Sequence, residues 1–114
     1  MKEAGSVQKG GTLETNQTLP QILSITADDW GDQKRVRVYI DLSDISAHPN
    51  LEIFMLTGNE ELSAHTHIIE AINPRIVITQ HLRVLDANNR YRLRVTVALA
   101  DQQPHEQKEI DIQL

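Results

Sequence analysis

Two segments of this chain alternate between apolar and polar residues with a period of two, and this alternation constrains the fold more than any other feature. Side chains on a β-strand point alternately to opposite faces, so each segment would have one apolar face and one wet face. The pattern therefore predicts antiparallel sheets packed on one core. The apolar members are Val36, Val38, Ile40 and Leu42 in the first segment and Leu93, Val95, Val97 and Leu99 in the second.

Similar segments, separated by turn residues, predict seven strands in all. Residues 1–18 are rich in Gly, Ser, Thr and Gln and offer little to bury, which predicts a flexible tail ahead of a single domain over residues 19–114. A helix over residues 60–71 is the alternative for the fourth strand, but the β-branched pair Ile68-Ile69 favours a strand. The predicted strands cover residues 21–27, 35–42, 51–57, 62–71, 75–84, 91–99 and 109–114.

Three packing details follow from the alternation. In the first strand, Leu23, Ile25 and Ala27 should share one face. The last two strands should form a hairpin across residues 101–105, with Leu93 opposite Ile112, Val95 opposite Ile110 and Arg94 facing Asp111. The predicted core contains Val36, Val38, Ile40, Leu93, Val95, Val97, Ile110 and Ile112.

Short strands with turns between them are typical of a β-sandwich. Residues 91–95, which begin with Tyr91, resemble the F strand of the immunoglobulin or fibronectin type III sandwich, and residues 36–40 resemble its B strand. The resemblance covers roughly residues 19–114. It implies an all-β, immunoglobulin-like antiparallel β-sandwich in which the tyrosine hydroxyl bonds to the backbone upstream.

The chain departs from that family at three points. Ala87 and Asn89 stand where the Asp and Gly of the usual Asp-x-Gly-x-Tyr spacing would be, the cysteine pair is missing, and Trp30 precedes strand B instead of lying on strand C. Residues 49–53, 68–71 and 81–83 also resemble a small, uncharacterised bacterial family of lone sandwich domains. That second resemblance implies no activity.

Composition excludes several classes of function. The absence of cysteine excludes disulfides and thiol catalysis, and the net charge of −5 disfavours general nucleic-acid binding. No apolar run approaches the ~20 residues of a membrane helix, so membrane insertion is not expected. The first residues lack the apolar stretch of a secretory signal, which favours a cytoplasmic location. No nucleophile elbow, phosphate loop or dinucleotide fingerprint is present, so we expect neither an enzyme nor a cofactor.

Three histidines are candidate metal ligands. His65 and His67 lie two residues apart, on one face of the fourth strand. If that strand paired with the fifth across Asn73-Pro74, His67 would lie opposite His81, and three imidazoles would suit zinc, copper or nickel. The alternative is that all three are polar residues on a wet sheet face.

The loop after the first strand holds three acids, Asp28, Asp29 and Asp32, around Trp30. Carboxylates in a tight loop suit calcium, but short acids in a hairpin loop also cap their own backbone, and we favour capping. Exposing the large apolar surface of an indole to water costs free energy. Trp30 is therefore expected either to cover the end of the core, which we favour, or to form a binding anchor.

Two arginine pairs are candidates for binding an anionic partner. Arg35 and Arg37 share one wet face, and Arg92 and Arg94 share another. Acids on the wet face of the last strand favour cross-strand ion pairs for the second pair. The candidate interaction residues are therefore Trp30, Arg35 and Arg37.

The sequence favours a non-enzymatic module for protein–protein interaction or scaffolding, because sandwiches bind through loops or free sheet edges. The alternative is a small-ligand or metal-binding module that uses the face of His65, His67 and His81. The expected partner is a protein of unknown identity. The chain itself is expected to be a monomer or a weak homodimer, associated through the edge of its last strand.

Overall fold

The computed structural model describes residues 19–114, which form seven antiparallel strands in two sheets. One sheet has the order β1-β2-β5 and the other the order β4-β3-β6-β7. All seven predicted strands are confirmed, the helix over residues 60–71 is wrong, and the predicted tail lies outside the described residues. The strands are β1 Ile22–Asp29, β2 Arg35–Leu42, β3 Asn50–Thr57, β4 Leu62–Ile68, β5 Arg75–His81, β6 Arg90–Ala98 and β7 Glu106–Gln113.

The strictly alternating segments behave as predicted. In β2 and β6 every second side chain is buried, and the inner faces of the two sheets share one hydrophobic core. Seven of the eight predicted core residues are buried, and Ile110, on the edge strand β7, is half-buried and packs against the core. No described residue belongs to a helix that could span a membrane.

The predicted face of β1 is wrong at one residue. Ile22 lies opposite Leu42 and Ser24 lies opposite Asp41, so Leu23 is an extra residue in the strand. Such a bulge shifts the phase of the alternation. Leu23 is therefore exposed, Ile22 takes the inward position in its place, and Ile25 remains buried as predicted.

The last two strands form the predicted hairpin, but in a different register. Leu93 lies opposite Ile110 and Tyr91 opposite Ile112, a shift of two residues from the prediction. Because side chains alternate with a period of two, this shift leaves the inner and outer faces unchanged. The ladder differs because β7 begins at Glu106, earlier than predicted.

The fourth strand pairs with the third and not with the fifth. The connection from β4 to β5 is not a tight hairpin. Its Ala71 is buried and donates its backbone N–H to the carbonyl of Pro49, 2.8 Å away, while the chain crosses to the other sheet. Constant-type immunoglobulin domains instead keep the fourth strand in the sheet of the first two.

The tyrosine corner predicted from the family resemblance is confirmed. The buried Tyr91 hydroxyl accepts a hydrogen bond of 2.8 Å from the backbone N–H of Asp86, five residues upstream. Asn89 adopts the left-handed conformation, with φ of 55°, which asparagine tolerates better than most residues. It therefore replaces the family's glycine.

Removing that hydroxyl should weaken the fold. Tyr91→Phe leaves the Asp86 N–H without its partner, and we expect a loss of about 1–2 kcal/mol in the free energy of unfolding, measured by urea denaturation. The control is Tyr39→Phe at the only other tyrosine, which is half-buried on an outer sheet face. Equal losses in the two variants would contradict a structural role for the corner bond.

Candidate functional site

The loop between β1 and β2 is held by its own acids. The Asp29 carboxylate accepts backbone hydrogen bonds from Gly31 and Gln33, at 2.9 and 3.0 Å. Gly31 has a φ of 101°, a conformation that glycine adopts without strain. These contacts agree with the favoured interpretation, in which short acids cap the loop backbone.

Asp32 is the second capping acid of this loop. Its Oδ1 accepts the backbone N–H groups of Lys34 and Arg35, each at 3.0 Å, and its Oδ2 accepts Nε of Arg35 at 2.8 Å. The Lys34 backbone bond and the Arg35 side-chain bond lower the pKa of Asp32 to about 2. Asp32 is therefore ionised at neutral pH and compensates the charge of Arg35.

Trp30 contacts both arginines of β2. The guanidinium carbons of Arg35 and Arg37 each lie 4.6 Å from the centre of the indole ring, which is cation–π geometry. Trp30 is 44% exposed and lies outside the core cluster. The interpretation that it covers the end of the core is therefore wrong, and its ring packs on the two guanidinium groups instead.

The indole belongs to a larger outward-facing surface. Trp30, Arg37 and Tyr39 line a shallow hollow of about 270 Å³ together with the last two residues of β1, Asp28 and Asp29. Tyr39 lies opposite Val77 of β5 in the ladder, and Val77 is 50% exposed. We call the surface formed by Trp30, Arg35, Arg37, Tyr39 and Val77 the Trp30 face.

The second arginine pair is neutralised within its own sheet. Arg94 pairs with Glu109, and Arg92 pairs with Asp111 at 3.3 Å and with Glu60 at 3.5 Å. The hydrogen bond to Asp111 raises the pKa of Arg92. Cross-strand ion pairing is confirmed for these arginines, with Glu109 opposite Arg94 in place of the predicted Asp111. Arg37, by contrast, has no ion-pair partner within residues 19–114.

The structure does not bring the three histidines together. His65 and His67 lie on β4, beside Phe54 and Glu52 of β3, whereas His81 lies opposite Arg35 in the other sheet. The strand pairing that would have placed His67 opposite His81 is wrong, because β4 and β5 belong to different sheets. Residues 19–114 contain no group of three side chains arranged to hold a metal ion.

His65 has contacts of its own. Its Nε2 lies 2.9 Å from a Glu52 carboxylate oxygen, and its ring stacks on Phe54 with centroids 4.6 Å apart. His65 and His81 still border one groove of about 580 Å³ between β4 and β5. At one end of the groove, the Ser63 hydroxyl donates to the carbonyl of Val84 at 2.6 Å.

Two residues with central structural roles were not anticipated. Gln80 is buried, and its Nε2 donates to the Ile53 carbonyl at 3.0 Å and to the Thr66 hydroxyl at 3.1 Å, while its Oε1 has no partner. A sequence signal exists, since Gln80 occupies an inward position after Ile76 and Ile78.

The other residue is Asp86. Its carboxylate accepts backbone N–H groups of Gly58, Asn88 and Arg90, each at 3.0 Å. It approaches Gly58 so closely that a Cβ there would lie 3.0 Å from its Oδ1. These bonds, led by the one from Arg90, lower the pKa of Asp86.

No protein-family model matches this chain, and no curated protein matches it either. Among solved structures, a glycosyl hydrolase family 2 member from Bacteroides cellulosilyticus DSM 14838 covers 82% of the chain with a TM-score of 0.56 at 13% sequence identity. The beta-glucuronidase of Lactobacillus rhamnosus covers 83%, with a TM-score of 0.52 at 13% identity. This chain spans only 15% and 16% of those two proteins, so the likeness concerns a domain-sized part of each. It supports an immunoglobulin-like fold.

Proposed function

We propose that this chain is a non-enzymatic interaction module that binds a partner protein through the Trp30 face. The observation that carries the proposal is the half-exposed indole packed on two guanidinium groups. Tryptophan, tyrosine and arginine are the residues most enriched among those that dominate the energy of protein interfaces. The Trp30 face combines these three types with an exposed valine.

The arrangement is also ordered before any partner binds. Asp29 and Asp32 fix the loop, the loop places Trp30, and the indole holds Arg37 in position. A long arginine side chain that is already immobilised loses less conformational entropy on binding. Its stacking on the indole leaves its N–H groups able to pair with an incoming acceptor.

The chemistry of the face indicates the chemistry of the partner. Asp32 compensates Arg35, whereas Arg37 has no carboxylate within ion-pairing distance among residues 19–114. A carboxylate on the partner would satisfy Arg37 in a bidentate bond. Tyr39 and Val77 beside it would accept an apolar side chain. The proposed partner segment therefore carries an acidic residue next to apolar residues.

The activities of the structural relatives are not carried over to this chain. Both relatives are named as glycosidases, but the chain spans about 15% of each and shares 13% of its residues with them. Likeness at that level concerns architecture, and this architecture supports many unrelated functions. The proposal rests on the Trp30 face alone.

A fluorescence titration tests the proposal, because Trp30 is the only tryptophan in the chain. The probe is an unlabelled peptide that alternates Glu with Leu and contains no aromatic residue. We expect saturable quenching or enhancement that weakens with added salt, since an exposed ion pair contributes. Arg37→Glu should weaken binding by about tenfold or more.

The matched control is Arg90→Glu, which makes the same change in net charge at an exposed residue on another part of the fold. It should bind the peptide as the wild type does. Equal weakening by Arg37→Glu and Arg90→Glu would show that overall charge is responsible and would overturn the assignment of the site. A wild-type chain that gives no saturable response would overturn the proposed partner chemistry.

A further inference from the structure

β5 is an edge strand with one set of free backbone groups. It pairs with β2, and no other strand of residues 19–114 pairs with it. The Leu42 N–H bonds to the Pro74 carbonyl, and the Leu82 N–H bonds to the Lys34 carbonyl, each at 2.8 Å. These two bonds show which residues of β5 bond to β2. Because antiparallel bonding alternates, the even-numbered residues of β5 bond to β2. The odd-numbered residues Arg75, Val77, Thr79 and His81 direct their N–H and C=O groups to the open edge.

The other three edge strands each carry a feature that discourages strand addition. β1 contains the bulge at Leu23, and β4 contains an extra residue at Ser63, between the Met55–Ala64 and Leu56–Leu62 pairs. Bulges and charges are the usual protections of natural sheet edges. β7 is protected by charge, since four of its eight residues are charged, namely Glu106, Lys108, Glu109 and Asp111.

β5 has no bulge, and its only charged or titratable residues are the two at its ends, Arg75 and His81. Its register with β2 shows no irregularity from Arg75 to His81. The five residues between those ends are uncharged, and three of them are the β-branched apolar residues of Ile76–Ile78. An edge that is regular, β-branched and uncharged between its ends is the kind that accepts another strand.

We propose that β5 pairs antiparallel with β5 of a second copy of this chain, centred on Ile78. Each three-stranded sheet would then continue into its copy as a six-stranded sheet. In this register Val77 lies opposite Thr79 of the other copy. Both residues direct their N–H and C=O groups to the open edge, so they can form a hydrogen-bonded pair of an antiparallel ladder. The half-buried Ile78 lies opposite its own copy on the inner face.

Charge favours a second copy as the occupant. The register places the two copies of Arg75 at opposite ends of the paired strands, each opposite His81 of the other copy, and places no other ionisable residue of β5 opposite another. Asp41 of the same chain already pairs with Arg75 at 3.2 Å. Pairing of one seven-residue strand buries much less than the roughly 1,200 Å² of a stable interface, so the dimer should be weak.

Sedimentation equilibrium of the full chain at pH 7.5, from micromolar to millimolar concentration, tests this inference. We expect a reversible monomer–dimer equilibrium. Thr79→Pro removes a backbone N–H that faces the open edge and should weaken the dimer by about tenfold or more while leaving the β2 ladder intact. Gln107→Pro is the matched control, because it makes the same change on the edge strand β7 and should leave the dimer unchanged.

Val77→Lys keeps the assignment testable if Thr79→Pro fails to fold. Val77 is half-exposed, so lysine is tolerated in the monomer, but this register places position 77 of each copy diagonally across from position 77 of the other, so the dimer would hold the two added cations close together. A wild-type chain that stays monomeric at millimolar concentration would overturn the inference. A dimer that is abolished by Gln107→Pro but left intact by Val77→Lys would also overturn the inference.

Discussion

Ile40→Ala is expected to lower the free energy of unfolding by about 2–4 kcal/mol, the cost of lost burial plus the cavity left behind. Ile40 is fully buried in β2, the central strand of its sheet, and lies between Ile25 of β1 and Ile76 of β5 in the ladder. Both neighbours are held by backbone pairing, so they can fill the space only in part. Urea denaturation followed by circular dichroism measures the change.

The control for Ile40→Ala is Val77→Ala in the same sheet. Val77 is half-exposed on the outer face, so its truncation should change stability by no more than about 0.5 kcal/mol. A loss below about 1 kcal/mol for Ile40→Ala would mean that its side chain is not in a packed core. The two-sheet arrangement would then be wrong.

Gln80→Glu is expected to lower the free energy of unfolding by about 2–4 kcal/mol at pH 7.5. The Gln80 side chain crosses between the sheets, donates to Ile53 and Thr66, and is only 2% exposed. Glutamate cannot donate those bonds when ionised and would bring an unpaired charge into a buried site. The measurement is urea denaturation at several pH values.

The loss should depend on pH with a definite sign. Burial raises the pKa of the introduced carboxyl above its unfolded value of about 4.3, so the penalty is present above that value and disappears as the pH falls below it. Gln80→Met is the control, since it has a similar volume and loses the same two hydrogen bonds but carries no ionisable group, so its loss should be smaller and should not change with pH. A pH-independent loss for Gln80→Glu would contradict a buried site.

The strands could be predicted because their alternation records which face is buried. In β2 and β6 each Val, Ile and Leu side chain faces the core and each Arg, Asp and Thr side chain faces outward, so the pattern alone fixes the faces. The register of β7 could not be predicted, because shifts of two residues preserve every face. The loop that joins β6 to β7 decides among them, and its residues show no periodicity.

Two further errors arose where local pattern and long-range geometry differ. The apolar residues around the bulge at Leu23 fit two phases of the inward–outward alternation. Only the pairing of β1 with β2 selects one of them. The strand with which β4 pairs depends on how the chain crosses to the other sheet after Ile68. The Asn73-Pro74 turn does not indicate this crossing. The histidine site depended on that pairing and therefore did not assemble.

Of the Trp30 face, the sequence predicted Trp30, Arg35 and Arg37 as candidate interaction residues, but neither their arrangement nor the presence of Tyr39 and Val77 beside them. Arg35 and Arg37 share a face because they lie two residues apart on β2, which the sequence shows directly. The position of Trp30 over both arginines depends on the loop that Asp29 and Asp32 fold. Long-range cation–π packing has no sequence periodicity, so only the structure reveals it.

The most direct test of the proposed function is to map the bound peptide by NMR, with amide and indole N–H shifts of the labelled full chain recorded during titration with the Glu-Leu peptide. The largest shifts are expected on the indole of Trp30 and on the amides of Arg35, Arg37, Tyr39 and Val77. Shifts that concentrate on β4 or β7 while these five residues stay unchanged would contradict the proposed function.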